Sequence, residues 1–157
     1  MIHVTTGTSA ARFYGSFYDT TTQTATANIA TPMLFNTTAE SQGVTVTSSS
    51  QVNILNSGTY NIQFSAQLDK PSNNAQDLDI WLQTNSGTII PWTNTRLTLA
   101  GQSKVVASWN FVKTFTGGDH FHLYWSNQDT VSLYSAASAT SPVRPEIPSV
   151  ILTVTQV

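Results

Sequence analysis

The chain contains no cysteine. Disulfide frameworks and thiolate metal sites are thereby excluded. Charge is also scarce: Asp, Glu, Lys and Arg make up 9% of 157 residues, and the formal net charge is -2. The cations Arg12, Lys70, Arg96, Lys104, Lys113 and Arg144 are scattered along the chain. A nucleic-acid binder concentrates its cations in a patch or stripe, so nucleic acid is set aside as a partner. No apolar run approaches the ~20 residues of a membrane-spanning helix, and no membrane contact is expected. The first residues, MIHVTTGTSA, lack the charged head and apolar centre of a signal peptide. No stretch carries a convincing helical period.

What is present is aromatic and polar without charge. Four Trp, five Tyr and seven Phe argue against disorder, which low charge and abundant Ser, Thr, Asn and Gln would otherwise allow. β-Branched and aromatic residues favour strands. The length suits one domain with its own core. A surface of hydroxyls and amides suits an assembly, because few charges lose water when faces meet.

Residues 54–68, ILNSGTYNIQFSAQL, carry the clearest pattern. Tyr60, Ile62, Phe64, Ala66 and Leu68 fall on one face; Asn61, Gln63, Ser65 and Gln67 fall on the other. Period-two alternation marks a strand with one face in a core. Similar strands are predicted at 12–19, 43–47, 77–83, 88–99, 105–115, 120–126, 131–135 and 150–157. Turn formers at 69–74, 85–87, 117–119 and 127–129 separate them. Pro142, Pro145 and Pro148 keep their segment extended and outside central ladders. Many short strands at regular spacing indicate an all-β sandwich or jelly roll.

The order of motifs is informative. Gly58-Thr59-Tyr60 opens one strand, another runs to Asn85-Ser86-Gly87, Gly118-Asp119 precedes an alternating strand, and a hydrophobic strand closes the chain. Over residues 13–157 this resembles the trimeric jelly roll of the tumour-necrosis-factor and complement globular-head superfamily. The runs DIWLQTNSGTIIPWTNTRLTL and IPSVILTVTQV resemble modules of bacteriophage structural proteins. The resemblance implies a non-enzymatic virion protein on the outer surface of the particle: a capsid decoration, cement or head-spike protein. Residues 1–12 would then be an attachment arm and 13–157 a single jelly-roll domain. The implied partners are two further copies in a homotrimer and other virion proteins such as the major capsid protein. The alternative is a receptor- or glycan-binding knob of a tail fibre or tail tip, with a host surface glycan as partner.

The same resemblance implies that the strands at 60–68, 120–126 and 150–157 share an inner sheet. One face of it would pack in the subunit and the other would face a threefold axis. Parity then sends Phe121, Leu123 and Trp125 to the core. It sends Asn61, Gln63, Ser65, His120, His122 and Tyr124 to the trimer interface.

Four groups of residues invite a chemical reading. His120 and His122 share a strand face and could chelate zinc or nickel if His3 or a symmetry mate added a ligand; interface packing and hydrogen bonding is the favoured reading, since no carboxylate lies on the same face nearby. Asp77 and Asp79 share another face. They could serve calcium with help from loop carbonyls, or keep an outward face soluble and poor at edge pairing. Asp119, after two glycines, suits a turn in which its carboxylate accepts local amides. Trp81 and Trp92 could stack on a sugar ring, or pack under a loop or against a neighbouring subunit. No nucleophile elbow and no Gly-rich phosphate loop occurs. No cofactor, no metal and no catalytic residue is therefore expected.

Overall fold

The structure, a computed structural model, describes residues 12–84 and 87–157. The first part of the chain forms β1 (Tyr14–Asp19), β2 (Gln23–Thr24), β3 (Thr31–Pro32), β4 (Thr37–Gln42), β5 (Val44–Thr47) and β6 (Gln51–Ile54). The middle supplies the longer strands β7 (Gly58–Lys70), β8 (Gln76–Thr84), β9 (Thr95–Leu99) and β10 (Ser103–Phe115). The rest forms β11 (His120–Asn127), β12 (Ser132–Leu133), β13 (Ala139–Thr140), β14 (Val143–Arg144) and β15 (Val150–Gln156). The described residues contain no helix.

Two antiparallel sheets face each other. In the first, β4, β1, β15 and β7 lie side by side, and β10 covers the far edge of β7 over its whole length. The short β12 and β2 continue this sheet beside the end of β7. In the second sheet the order is β5, β6, β11, β8 and β9, with β3 on β11. β13 and β14 form a separate hairpin.

Alternation explains why the layers close. Along β7, Tyr60, Ile62, Phe64, Ala66 and Leu68 are buried; along β11, Phe121, Leu123 and Trp125 are. Leu78, Ile80 and Leu82 of β8 and Leu152 and Val154 of β15 complete the seam. Phe64 lies edge-on to Trp109 with centroids 4.6 Å apart. Truncating the buried Phe64 to alanine would cost about 3–5 kcal/mol.

The connection from β10 to β11, which carries the chain from the first sheet to the second, turns at residues 116–119. Gly118 has φ +97°, a conformation that side-chain-bearing residues rarely adopt. Asp119 Oδ2 accepts the Thr116 N–H at 2.8 Å, which is the local turn role expected of this carboxylate.

Three expectations need correction. The strand at 120–126 does not share a sheet with 60–68 and 150–157: β7 and β15 are neighbours, whereas β11 is central to the opposite sheet. Residues 88–99 are not one strand, because only Thr95–Leu99 forms a ladder and residues 90–93 make a turn held by Thr93. β4 and β6 were not expected, the first being wholly polar (TTAESQ) and the second only four residues long. The expected arm lies almost wholly outside the described residues, as do His3, Asn85 and Ser86.

Candidate interaction surfaces

The outward face of the first sheet is a block of uncharged side chains. Gln63 of β7 sits between Thr153 of β15 and Asn110 of β10. Ser65 sits between Ile151 and Ser108, and Asn61 between Thr155 and Val112. β1 extends the rows with Tyr14, Ser16 and Tyr18. Asn110 Nδ2 donates to Asn61 Oδ1 at 3.0 Å, tying two strands across the face. Charge appears at its margins: Glu40 of β4 opposite Ser16, and the Lys104–Asp69 ion pair at the far end. Val112, Val106 and Ile151 leave apolar surface exposed among the amides.

Asn61, Gln63 and Ser65 therefore stand together as expected, with neighbours that the sequence reading did not name. The alternation within 105–115 already carried the signal for Ser108, Asn110 and Val112. His120, His122 and Tyr124 are not on this face. They point outward from the second sheet, on the opposite side of the sandwich.

There they form an aromatic strip. The His120 and His122 rings are 5.8 Å apart, His122 and Tyr124 are 6.0 Å apart, and Tyr124 stacks on Trp81 at 6.0 Å and 23°. Gln83 faces His122 across the ladder, and Asn53 faces His120. Burial pushes the His122 imidazole below its ordinary pKa; the His120 charge acts in the same sense, and a contact with the Ser50 backbone opposes both. Among the described residues no three His, Asp or Glu side chains are grouped as a metal would require.

Asp77 and Asp79 share a face of β8, and Arg96 of β9 clamps them. Arg96 Nε donates to Asp79 Oδ1 at 3.1 Å and a terminal nitrogen to Oδ2 at 2.9 Å; its other nitrogen lies 3.6 Å from Asp77. The hydrogen bond from Arg96 is the main reason that the Asp79 carboxyl is held below its ordinary pKa. Thr98 Oγ1 donates to Asp77 at 2.7 Å, and Asn94 Nδ2 to Asp79 at 3.1 Å. These carboxylates are the anionic half of a cross-strand ion-pair cluster. Four ladder positions, about 13 Å, separate Asp79 from Gln83, the residue opposite His122.

The two tryptophans part company. Trp81 points outward by parity but is 8% exposed, covered by Tyr124 and lining a hollow with Ile89, Asn94 and Asp79. Trp92 is fully exposed at 101% with φ +67°. It borders a groove of about 520 Å³ along the middle of β10. Stacking on Tyr124 of the neighbouring strand accompanies the low exposure of the first, and the second is bare.

No protein-family profile matches the sequence, and no curated protein sequence matches it. Among solved structures the chain is similar to murine APRIL in crystal structures at pH 5.0 and pH 8.0. Each superposes with a TM-score of 0.57, covering 94% of this chain and 100% of the APRIL chain at 8% identity. At that identity the likeness shows the fold alone. The fold is a tumour-necrosis-factor-like jelly roll.

Proposed function

We propose that this chain is a non-enzymatic virion structural protein, carried on the outer surface of a bacteriophage particle as a capsid decoration, cement or head-spike protein. Its copies join as a homotrimer through the uncharged face of the first sheet. That face carries the reading. Three rows of residues across β1, β15, β7 and β10 hold no charge, yet expose Val112 at 63% and Ile151 at 39%. A sheet face meant only for water would carry Lys and Glu; amides, hydroxyls and isolated apolar groups suit contact with another chain. The fold supports the reading because it leaves one broad sheet face free for a partner. Residues 1–12 would tether the trimer to the major capsid protein.

Two measurements test this. Purified particles separated into heads and tails should carry the protein on heads. The isolated protein should have the mass of three 17.0 kDa chains. A monomeric mass at micromolar concentration, or absence from particles, refutes the proposal.

One observation favours a second reading, a receptor- or glycan-binding knob of a tail fibre or tail tip. It is the fully exposed Trp92 beside an open groove. Recovery of the protein on tails would decide for it.

A further inference from the structure

Stability does not explain Trp92. Residues 90–93 make a tight turn between β8 and β9. Ile90 and Thr93 are buried, and the Ile90 N–H donates to the Leu82 carbonyl at 3.0 Å. Thr93 Oγ1 donates to the Ile90 carbonyl at 2.8 Å and accepts the Leu82 N–H at 3.1 Å. The turn is thus pinned, and Pro91 and Trp92 are the residues it presents to water.

Proline at the second position and a positive φ at the third match a type II turn, whose third position favours glycine or asparagine. Here that position holds tryptophan at φ +67°. A bulky side chain is strained at positive φ, and a bare indole forgoes the burial that aromatics usually gain. Glycine would relieve both penalties. Strain kept at an exposed position directs attention to a ligand.

The groove beside the indole is of small-ligand size, about 520 Å³. Pro91 and Val112 give it apolar surface, Asn110 brings a carboxamide, and Lys113 brings an ammonium. Lys113 is the only charged side chain lining it among the described residues. A flat indole matches the C–H face of a pyranose, a carboxamide matches ring hydroxyls, and a lone cation with no carboxylate nearby matches an acidic substituent.

We propose that this groove binds an acidic saccharide, a pyranose bearing a carboxylate, with its ring against Trp92 and its carboxylate on Lys113. The proposal rests on the second reading above, with Asn110 and Val112 left open rather than covered by another copy, and narrows its ligand class.

The full chain is titrated calorimetrically with a glucuronate-containing tetrasaccharide and with a neutral glucose tetrasaccharide. The acidic sugar should bind about tenfold more tightly, the worth of one charge-assisted contact. Trp92→Gly, which suits the turn, should abolish binding while circular dichroism and mass stay unchanged. Lys113→Gln should remove the preference for the acidic sugar and leave weak binding of both. Equal wild-type affinities, or an unchanged preference in Lys113→Gln, overturn the acidic class and leave a saccharide site standing. Binding of neither sugar, or full binding by Trp92→Gly, overturns the site itself, while the ligand-binding reading is decided separately by recovery of the protein on tails. A drop in oligomer mass on Trp92→Gly assigns the indole to a contact between copies and also overturns the site.

Discussion

Lys70 Nζ donates to the Gly101 carbonyl at 2.8 Å from a position with no exposed surface. Its second acceptor is the Ser72 carbonyl. Lys70 ends the inward row of β7, so its ammonium ties the loop after β7 to the turn between β9 and β10. A Lys70→Met substitution fills the space but takes the donor from two half-buried carbonyls. A fully buried group costs about 1–3 kcal/mol when unsatisfied, and water meets part of the need here. Urea denaturation should therefore show a loss of about 1–2 kcal/mol. An unchanged midpoint would mean that water replaces the ammonium.

Trp81 and Trp92 should respond oppositely to truncation. Trp81 is 8% exposed and stacked on Tyr124. Trp81→Ala should lose about 3–5 kcal/mol. Trp92→Gly relieves a left-handed φ worth about 1–2 kcal/mol. Glycine returns part of that through unfolded-state entropy, about 0.5–1 kcal/mol. The variant should be more stable than the parent by up to about 1 kcal/mol, visible as a higher Tm. A lower Tm for Trp92→Gly would show that the indole packs on something in solution.

Alternation made the faces legible but not the sheets. Parity placed Phe121, Leu123 and Trp125 inward and His122 and Tyr124 outward, which the burial of β11 confirms. It could not tell which of two sheets β11 joins, because that depends on ladders to β6 and β8, each dozens of residues away in the chain. The segment 88–94 failed for a different reason. Its apolar content, Ile89, Ile90 and Trp92, reads as strand, whereas one buried hydroxyl, Thr93, decides the turn. Lys70 was equally hidden, since a lysine in a strand is ordinarily taken to reach water.

Acid should weaken the fold in two stages. His122 is held below its usual pKa of 6.5, chiefly by burial. Its stabilising share is full above that value, where both states are neutral. It falls as pH drops below 6.5, because the unfolded chain takes up the proton first. Asp79 acts lower, since Arg96 holds its carboxyl below the usual 3.8. Its share persists above that value and is lost as pH falls through the folded-state pKa. Thermal unfolding at pH 7.5 and pH 5 (chosen conditions, about one unit or more either side of the histidine value) should show a smaller drop for His122→Gln than for the parent. An equal drop would remove His122 from the account.

The placement of β11 gives the oligomer proposal its sharpest test. Gln63 lies in the centre of the uncharged face, between Thr153 and Asn110. His120 lies on the outward side of the opposite sheet. A lysine at position 63 would bring like charges together at a threefold axis and strip them of water, which costs several kcal/mol when no counter-charge is present. A lysine at position 120 would meet solvent and the neighbouring polar side chains. Gln63→Lys should therefore dissociate the assembly to monomers that keep the β-sheet spectrum, whereas His120→Lys should leave its mass unchanged in sedimentation. The opposite result would put the contact on the second sheet and restore the aromatic strip as the interface. If both variants keep the parental mass, neither face holds the copies together, and the decoration reading loses its structural support.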